Sequence, residues 1–72
     1  MSTIQKENIK VDGYRGRWYV IDQIITGKGK FYLLEHEVYG DETCALVVDA
    51  NFNFIAETED DLFTALEDEG IL

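Results

Sequence analysis

The chain has 72 residues, 46% of them hydrophobic and 29% charged, which allows one small domain of ordinary globular composition over residues 1–72. No run of about 18 apolar residues is present and no basic stretch leads into an apolar one, so we expect neither a membrane span nor a secretory leader. Cys44 is the single cysteine and cannot form an internal disulfide. We therefore expect a reducing, cytoplasmic compartment.

Charge is distributed unevenly between the two halves of the chain. All six lysines and arginines lie within residues 1–30, and residues 1–34 carry a net charge of +3. Residues 35–72 contain twelve acidic residues and neither lysine nor arginine, which leaves the whole chain at −9. Nucleic-acid binding needs a basic surface, so we do not expect a nucleic-acid partner. The acidic half is interpreted either as a solubilising surface or as one that attracts a basic partner.

A short segment precedes the first predicted strand. Residues 1–7 are polar and are expected to be disordered. Residues 8–11 are predicted to form a short strand, and residues 12–16 form a turn with two glycines. Residues 17–25 give the strongest strand prediction, because they are rich in aromatic and β-branched side chains.

Two further strands follow in hairpin order. Residues 26–29 predict a hairpin loop, because glycine supplies the positive φ that such loops need. Residues 30–38 predict the second strand, and residues 39–43 a polar connection. Residues 44–49 are almost wholly apolar, which favours a strand in the centre of the sheet.

The chain is predicted to end in a helix. Residues 50–53 predict a turn and residues 54–56 a short returning strand. Thr58, with Asp61 three residues later, approximates a capping box at the start of the helix, and Gly70 predicts its end. The apolar side chains that share one face of this helix are Leu62, Phe63 and Leu66.

These elements predict an α+β fold, in which a small antiparallel β-meander of three to five strands has one C-terminal α-helix packed on it. Such a helix covers part of one sheet face, yet the first strand has apolar residues in both alternation sets. The sets are Trp18, Val20 and Ile24 on one face and Tyr19, Ile21 and Ile25 on the other. The second face needs a cover, which sheet curling, the N-terminal segment or a second copy could supply. Because a second copy of the chain could supply this cover, a homodimer is one of our predictions.

His36 lies between Glu35 and Glu37 in the second predicted strand. Adjacent strand residues point to opposite faces, so the histidine diverges from the two acids, which share a face. We interpret the segment as a solvated strand end, because a proton-transfer site needs a pocket that so small a domain rarely forms. Cys44 has no neighbouring cation to activate its thiol and is interpreted as a core or edge residue. We therefore predict no catalytic residue and no enzyme.

Metal-capable side chains occur in two places. The first set, which matches no zinc spacing, is Glu35, His36, Glu37, Asp41, Glu42 and Cys44. The second is the segment of Asp49, Asn51 and Asn53, whose pattern opens a calcium loop, although Phe54 stands where such a loop needs glycine. We interpret the first set as an acidic loop and the second as a turn, and we expect no cofactor. Cation binding at Asp49 stays open as the alternative for the second set.

Aromatic and basic residues are interleaved around the first predicted hairpin. Such a surface can stack single-stranded nucleic acid, although aromatic residues of this kind more commonly belong to the core. Together with the polar end of the second strand, these aromatic residues form our candidate interaction surface. It consists of Tyr14, Trp18, Tyr19, Phe31, Tyr32, Glu35, His36 and Glu37.

Three segments carry a family resemblance. They are VDGYRGRWYVID at residues 11–22, FYLLEHEVYGDE at residues 31–42 and LVVD at residues 46–49. The sequence resembles a small domain of large polyvalent proteins from phages and conjugative elements. It is identified as a member of the twenty-eighth of those associated-domain families, over residues 9–66. The resemblance implies a bacterial cytoplasmic setting linked to mobile elements, and it implies no catalytic residues.

The leading functional hypothesis is a small acidic binding module without catalysis, which interacts with an unidentified protein partner. The alternative is an acidic decoy that occupies a basic nucleic-acid-binding protein, and it rests on the charge of residues 35–72. An enzyme would need a pocket that joins His36 with Glu35 or Glu37.

Overall fold

A computed structural model describes residues 9–39 and 44–72, and in these ranges the chain forms one four-stranded sheet and one helix. The elements are β1 (Trp18–Thr26), β2 (Gly29–His36), β3 (Ala45–Asp49), β4 (Phe54–Thr58) and α1 (Leu62–Asp68). Each strand pairs antiparallel with the next, so the order in the sheet follows the order in the chain. The predicted α+β meander is therefore confirmed. The predicted disorder of residues 1–7 lies outside the described residues.

Two strand ends differ from the prediction by two residues, and the other bounds of these four strands differ by at most one. β2 ends at His36 because its Nδ1 atom accepts hydrogen bonds from the backbone N–H groups of Val38 (3.0 Å) and Tyr39 (3.2 Å). After one further backbone bond, from the Glu37 N–H group to the Arg17 carbonyl (2.9 Å), the two bonds to His36 form a local turn that ends the pairing. β4 continues past residue 56 to Thr58, which pairs with Ala45 of β3.

The predicted strand over residues 8–11 is wrong within the described part of the chain. Ile9 forms an isolated bridge with Trp18, through backbone hydrogen bonds of 3.0 and 2.9 Å. Beyond this bridge the chain leaves the extended conformation at Gly13 and Gly16, whose φ angles are +88° and +83°. Residues 9–17 therefore form an irregular segment that crosses the sheet instead of extending it.

The predicted alternation of β1 is interrupted at Ile21. Val20 pairs with Leu34 and Asp22 with Leu33, so β1 has one extra residue at this point. A bulge of this kind reverses which side chains face each side of the sheet beyond it. Trp18 and Ile24, which we placed on one face, consequently pack into cores on opposite faces.

Each face of the sheet has its own apolar cluster. The face that we call the N-terminal face is covered by residues 9–17, and its buried residues are Ile9, Val11, Trp18, Leu34, Leu46 and Val48. The opposite one, the helix face, is covered by α1, and its buried residues are Phe31, Leu33, Val47, Leu62, Ala65 and Leu66. The N-terminal segment is thus one cover for the second face. The homodimer stays a prediction, but it no longer follows from an uncovered face.

The start of the helix also differs from the prediction. Because β4 extends to Thr58, the helix begins later, and Asp61 is its N-cap. The Asp61 carboxylate accepts a hydrogen bond of 2.8 Å from the Thr64 N–H group, and this bond lowers the pKa of Asp61. The proposed Thr58 cap is wrong, since the Thr58 hydroxyl accepts from the Asp60 N–H group. Phe63 is 53% exposed and does not share the buried face of Leu62 and Leu66.

The predicted end of the helix at Gly70 is confirmed. Gly70 has a φ of +79°, and the Ile71 N–H group donates to the Leu66 carbonyl at 2.9 Å. The last turn contains no basic residue, so the helix has no cation of its own at its negative end. Lys28, at the tip of the β1–β2 hairpin, supplies one by donating to the Gly70 carbonyl at 3.3 Å.

Candidate interaction site

His36 is buried, with 8% of its surface exposed, and it lies beneath the N-terminal segment. Its Nδ1 atom accepts two backbone hydrogen bonds and therefore carries no proton, which leaves the proton of the neutral ring on Nε2. A β-carbon at Gly16 would collide with Nε2, so the glycine is required for this close approach. The interpretation of this segment as a solvated strand end holds for the exposed Glu37 but is wrong for His36.

Tyr14 connects the N-terminal segment to the edge of the sheet. Its hydroxyl donates a hydrogen bond of 2.6 Å to the Glu57 carboxylate of β4. This hydrogen bond, with burial and the Glu57 charge as further causes, raises the pKa of Tyr14 to about 12. The Tyr14 ring also contacts Trp18 edge-on, at a centroid distance of 6.1 Å, and Phe54, at 5.3 Å. Tyr14 is therefore held by both a polar contact and ring packing.

An open groove of about 410 Å³ lies beside Tyr14 on the N-terminal face, and we call it the aromatic groove. Its described lining consists of Tyr14, Arg15, Trp18, His36, Tyr39, Cys44, Leu46 and Glu57. The ionised side chains in this lining are Arg15, which is exposed, and Glu57. The groove thus combines ring walls with one carboxylate and one guanidinium group.

Cys44 lines this groove but is not an activated nucleophile. Its thiol donates to the Glu59 carboxylate at a sulfur–oxygen distance of 3.7 Å. Burial, followed by the carboxylates of Glu59 and Glu57, raises the pKa of the Cys44 thiol. The group consequently stays a thiol at neutral pH, in agreement with its interpretation as a core or edge residue.

A second groove, of about 330 Å³, lies between β4 and α1, and we call it the acidic groove. It is lined by Ala56, Glu57, Thr58, Glu59, Asp60, Ala65, Asp68 and Glu69, which include five carboxylates and no basic side chain. β4 is an edge strand, with a strand neighbour on the β3 side only among the described residues. Glu57 lines both grooves, so the two are adjacent.

The predicted interaction surface is divided between the two faces of the sheet. Tyr14, Trp18 and His36 meet at the aromatic groove, where Trp18 and His36 are largely buried. Phe31 belongs to the core of the helix face. The remaining predicted residues lie elsewhere, since the Tyr19 hydroxyl donates to Glu35 at 3.3 Å and Tyr32 stacks on Phe52 at 5.2 Å. The eight residues therefore do not form one continuous surface, and their role in binding stays a prediction.

Five described lining residues of the aromatic groove lie outside the predicted surface, among them Tyr39 and Glu57. Tyr39 belongs to the turn that His36 organises, whereas the sequence predicted strand up to residue 38 and a polar connection from Tyr39. Glu57 meets Tyr14 across a separation of 43 residues. No local pattern in the sequence indicates such a contact, because alternation along a strand assigns residues only to the faces of a sheet.

The segment predicted as an alternative cation site forms the β3–β4 hairpin loop. The Asp49 carboxylate accepts hydrogen bonds from the backbone N–H groups of Asn51 (2.8 Å) and Asn53 (2.9 Å). The bond from Asn53 is the main cause that lowers the pKa of Asp49. Asp41 and Glu42 of the other predicted set lie outside the described residues. Within residues 9–39 and 44–72, no three His, Cys, Asp or Glu side chains are grouped to hold a metal ion.

Comparison with known proteins assigns the chain to a family. Residues 2–71 match the family model of large polyvalent protein-associated domain 18. The chain belongs to this family. Our identification of the group was therefore right, but the family number was wrong, and the match extends beyond residues 9–66. No curated protein and no solved structure matches the chain. In the described part of the fold, no helix is long and apolar enough to cross a membrane.

Proposed function

We propose that the chain is an interaction module without catalytic activity, which binds a basic segment of a partner protein in the acidic groove. The observation that carries this proposal is the concentration of five carboxylates between β4 and α1, in a described lining that contains no basic side chain. Opposite charge steers and orients a partner at such a surface. These five carboxylates belong to the twelve acidic residues that lie within residues 35–72.

The edge position of β4 supports an extended partner. An edge strand presents backbone N–H and C=O groups to one side, and an extended segment can add to it as a further strand. In such a segment alternate side chains point to the same face. Basic residues at alternate positions would therefore all face the acidic groove.

The groove carboxylates are available for such a partner. The polar contacts of their side chains to described residues are those of Glu57 with Tyr14 and of Glu59 with Cys44. Neither contact neutralises a charge, because a phenol and a thiol are the partners. Lys28 reaches the Gly70 carbonyl, at the end of α1, and not a groove carboxylate. The acidic groove therefore lacks an internal counter-charge among the described residues.

The alternative proposal is a decoy that occupies a basic nucleic-acid-binding protein, in the bacterial cytoplasm and in connection with mobile elements. The net charge of −9 favours it, because a strongly acidic surface can compete with nucleic acid for a basic site. In a competition experiment, added DNA would displace a decoy from its partner, whereas it would not displace a module that binds another basic segment.

A second copy of the chain is the remaining candidate partner. Sedimentation equilibrium tests it by comparing the mass with twice 8.3 kDa.

The test uses a fluorescently labelled peptide of about eight residues, in which lysine and valine alternate, as a model of a basic strand. We expect saturable binding by fluorescence anisotropy, which weakens as salt rises from about 50 to about 300 mM. Asp68→Asn should weaken binding about two- to fivefold. Asp22→Asn is the matched control, because it removes the same charge from β1, at the other edge of the sheet. Absent binding, or equal effects of the two variants, would contradict the proposal.

A further inference from the structure

We propose that the aromatic groove binds the cationic side chain of one lysine or arginine in the basic segment that the acidic groove recognises. This inference rests on the proposed function and extends it to a second contact. The two grooves share Glu57 as a lining residue. A basic segment placed along β4 therefore lies next to the aromatic groove, within reach of a long side chain.

The rings of the groove pack against one another, and the largely buried Trp18 and His36 form its base. The Trp18 ring is inclined at 85° to Tyr14 and at 83° to His36, with centroid distances of 6.1 and 5.0 Å. The His36 ring lies 5.0 Å from that of Tyr39. The Tyr39 ring is tilted by 34° to His36 and is 56% exposed, so it is the most accessible ring of the groove. A cation within about 6 Å of a ring centroid is attracted by the π electrons of the ring.

The protonation of the lining favours a cation over an anion. His36 is neutral, because its Nδ1 atom accepts two backbone hydrogen bonds, so the ring does not repel a cation. The Tyr14 hydroxyl donates a hydrogen bond to Glu57, and the site therefore presents a carboxylate whose position is fixed. An anionic ligand would be repelled by Glu57 and by the other acids of the neighbouring groove.

The lining also determines the class of cation. A metal ion prefers several oxygen ligands, whereas rings and the buried Leu46 make up much of this lining. Lysine and arginine carry their charge at the end of an apolar stem. The stem can pack against the rings of the groove while the charge meets the Glu57 carboxylate. Arg15 also lines the groove and is exposed, and its charge repels an entering cation.

Trp18 is the only tryptophan of the chain, so its emission reports on the groove directly. The experiment titrates the protein with the lysine–valine peptide and records peptide anisotropy and Trp18 emission separately. We expect both to saturate at the same peptide concentration. Binding by anisotropy without a change in Trp18 emission would overturn this inference and leave the proposed function intact. The absence of peptide binding would overturn both.

The decisive variant is Tyr39→Leu, which removes a ring that is 56% exposed and keeps an apolar side chain. We expect it to weaken peptide binding about three- to tenfold, and Tyr39→Phe to restore binding. Phe63→Leu is the matched control, because Phe63 is 53% exposed on α1 and lines neither groove. Equal affinities of the wild type and Tyr39→Leu, with unchanged circular dichroism spectra, would overturn the inference.

A second variant acts in the opposite direction. Arg15→Gln removes this repelling charge and should strengthen peptide binding about twofold, so unchanged or weaker binding counts against the inference. Tetramethylammonium chloride, compared with sodium chloride at equal ionic strength, tests for a free cation as the ligand. We expect it to change Trp18 emission more weakly than the peptide does. Saturation by tetramethylammonium without peptide binding would overturn the assignment to a partner side chain.

Discussion

The two faces of the sheet are closed by different kinds of structure. On the helix face, α1 presents a continuous apolar stripe, and Leu62 and Leu66 are 1% and 0% exposed. On the N-terminal face, the irregular segment of residues 9–17 makes separate contacts, such as the Ile9 bridge and the hydrogen bond of Tyr14 to Glu57. An irregular cover leaves space between its contacts, and the aromatic groove lies there. One face thus provides a sealed core, and the other combines a core with an accessible surface.

The largest stability effect should lie on the helix face. Leu66→Ala removes a fully buried side chain, and we expect a loss of about 2–5 kcal/mol in the free energy of unfolding, measured with urea. Val11→Ala on the N-terminal face, where Val11 is 3% exposed, should cost about 1–2 kcal/mol. A loss for Val11→Ala as large as that for Leu66→Ala would show that the two faces are closed equally well.

A smaller effect should separate the two glycines of the N-terminal segment. Gly13→Ala places a β-carbon in open space and should cost about 1–2 kcal/mol, because φ is +88°. Gly16→Ala has the same backbone cost, and its β-carbon would also collide with His36. We therefore expect Gly16→Ala to lose about 1–3 kcal/mol more than Gly13→Ala in urea unfolding. Equal losses would mean that His36 can move without cost.

The smallest effect should come from the hydrogen bond of Tyr14. Tyr14→Phe should cost about 1 kcal/mol or less at a pH of about 9, because the bond is exposed. The pKa of Tyr14 rises from 10.0 to about 12 on folding, so this contribution is complete below pH 10 and is lost as pH rises towards 12. The difference in stability between the wild type and Tyr14→Phe should therefore shrink at a pH of about 11.5. A stability difference that does not change with pH would show that Tyr14 stabilises the fold through ring packing and not through this hydrogen bond.

Much of the fold could be predicted from the sequence, because it depends on local patterns. Residues 17–25 and 44–49 have the composition of strands, and both form strands that differ by one residue from the predicted bounds. Gly70 ends the helix as predicted. The start of the helix could not be predicted in the same way. Thr58 and Asp61 are both competent caps, and the length of β4 decides between them.

The candidate site depended on contacts that no local pattern specifies. The bulge at Ile21 changes which residues of β1 face each side, and the continuous apolar run of residues 18–21 does not mark it. His36 is buried because Gly16, twenty positions away in the chain, allows the segment above it to approach. The acidic residues of the acidic groove can be recognised in the sequence. They lie together only because of the pairing of β4 and the position of α1.

The most direct test of the account is a map of the peptide contact by nuclear magnetic resonance. The lysine–valine peptide would be titrated into isotopically labelled protein, and amide shift changes recorded along the chain. We predict that the largest changes lie at residues 56–60 of β4 and the following connection, and at residues 65–69 of α1 and its C-cap. Changes concentrated on β1, at the opposite edge of the sheet, or spread evenly over all acidic residues, would contradict the proposed interaction site.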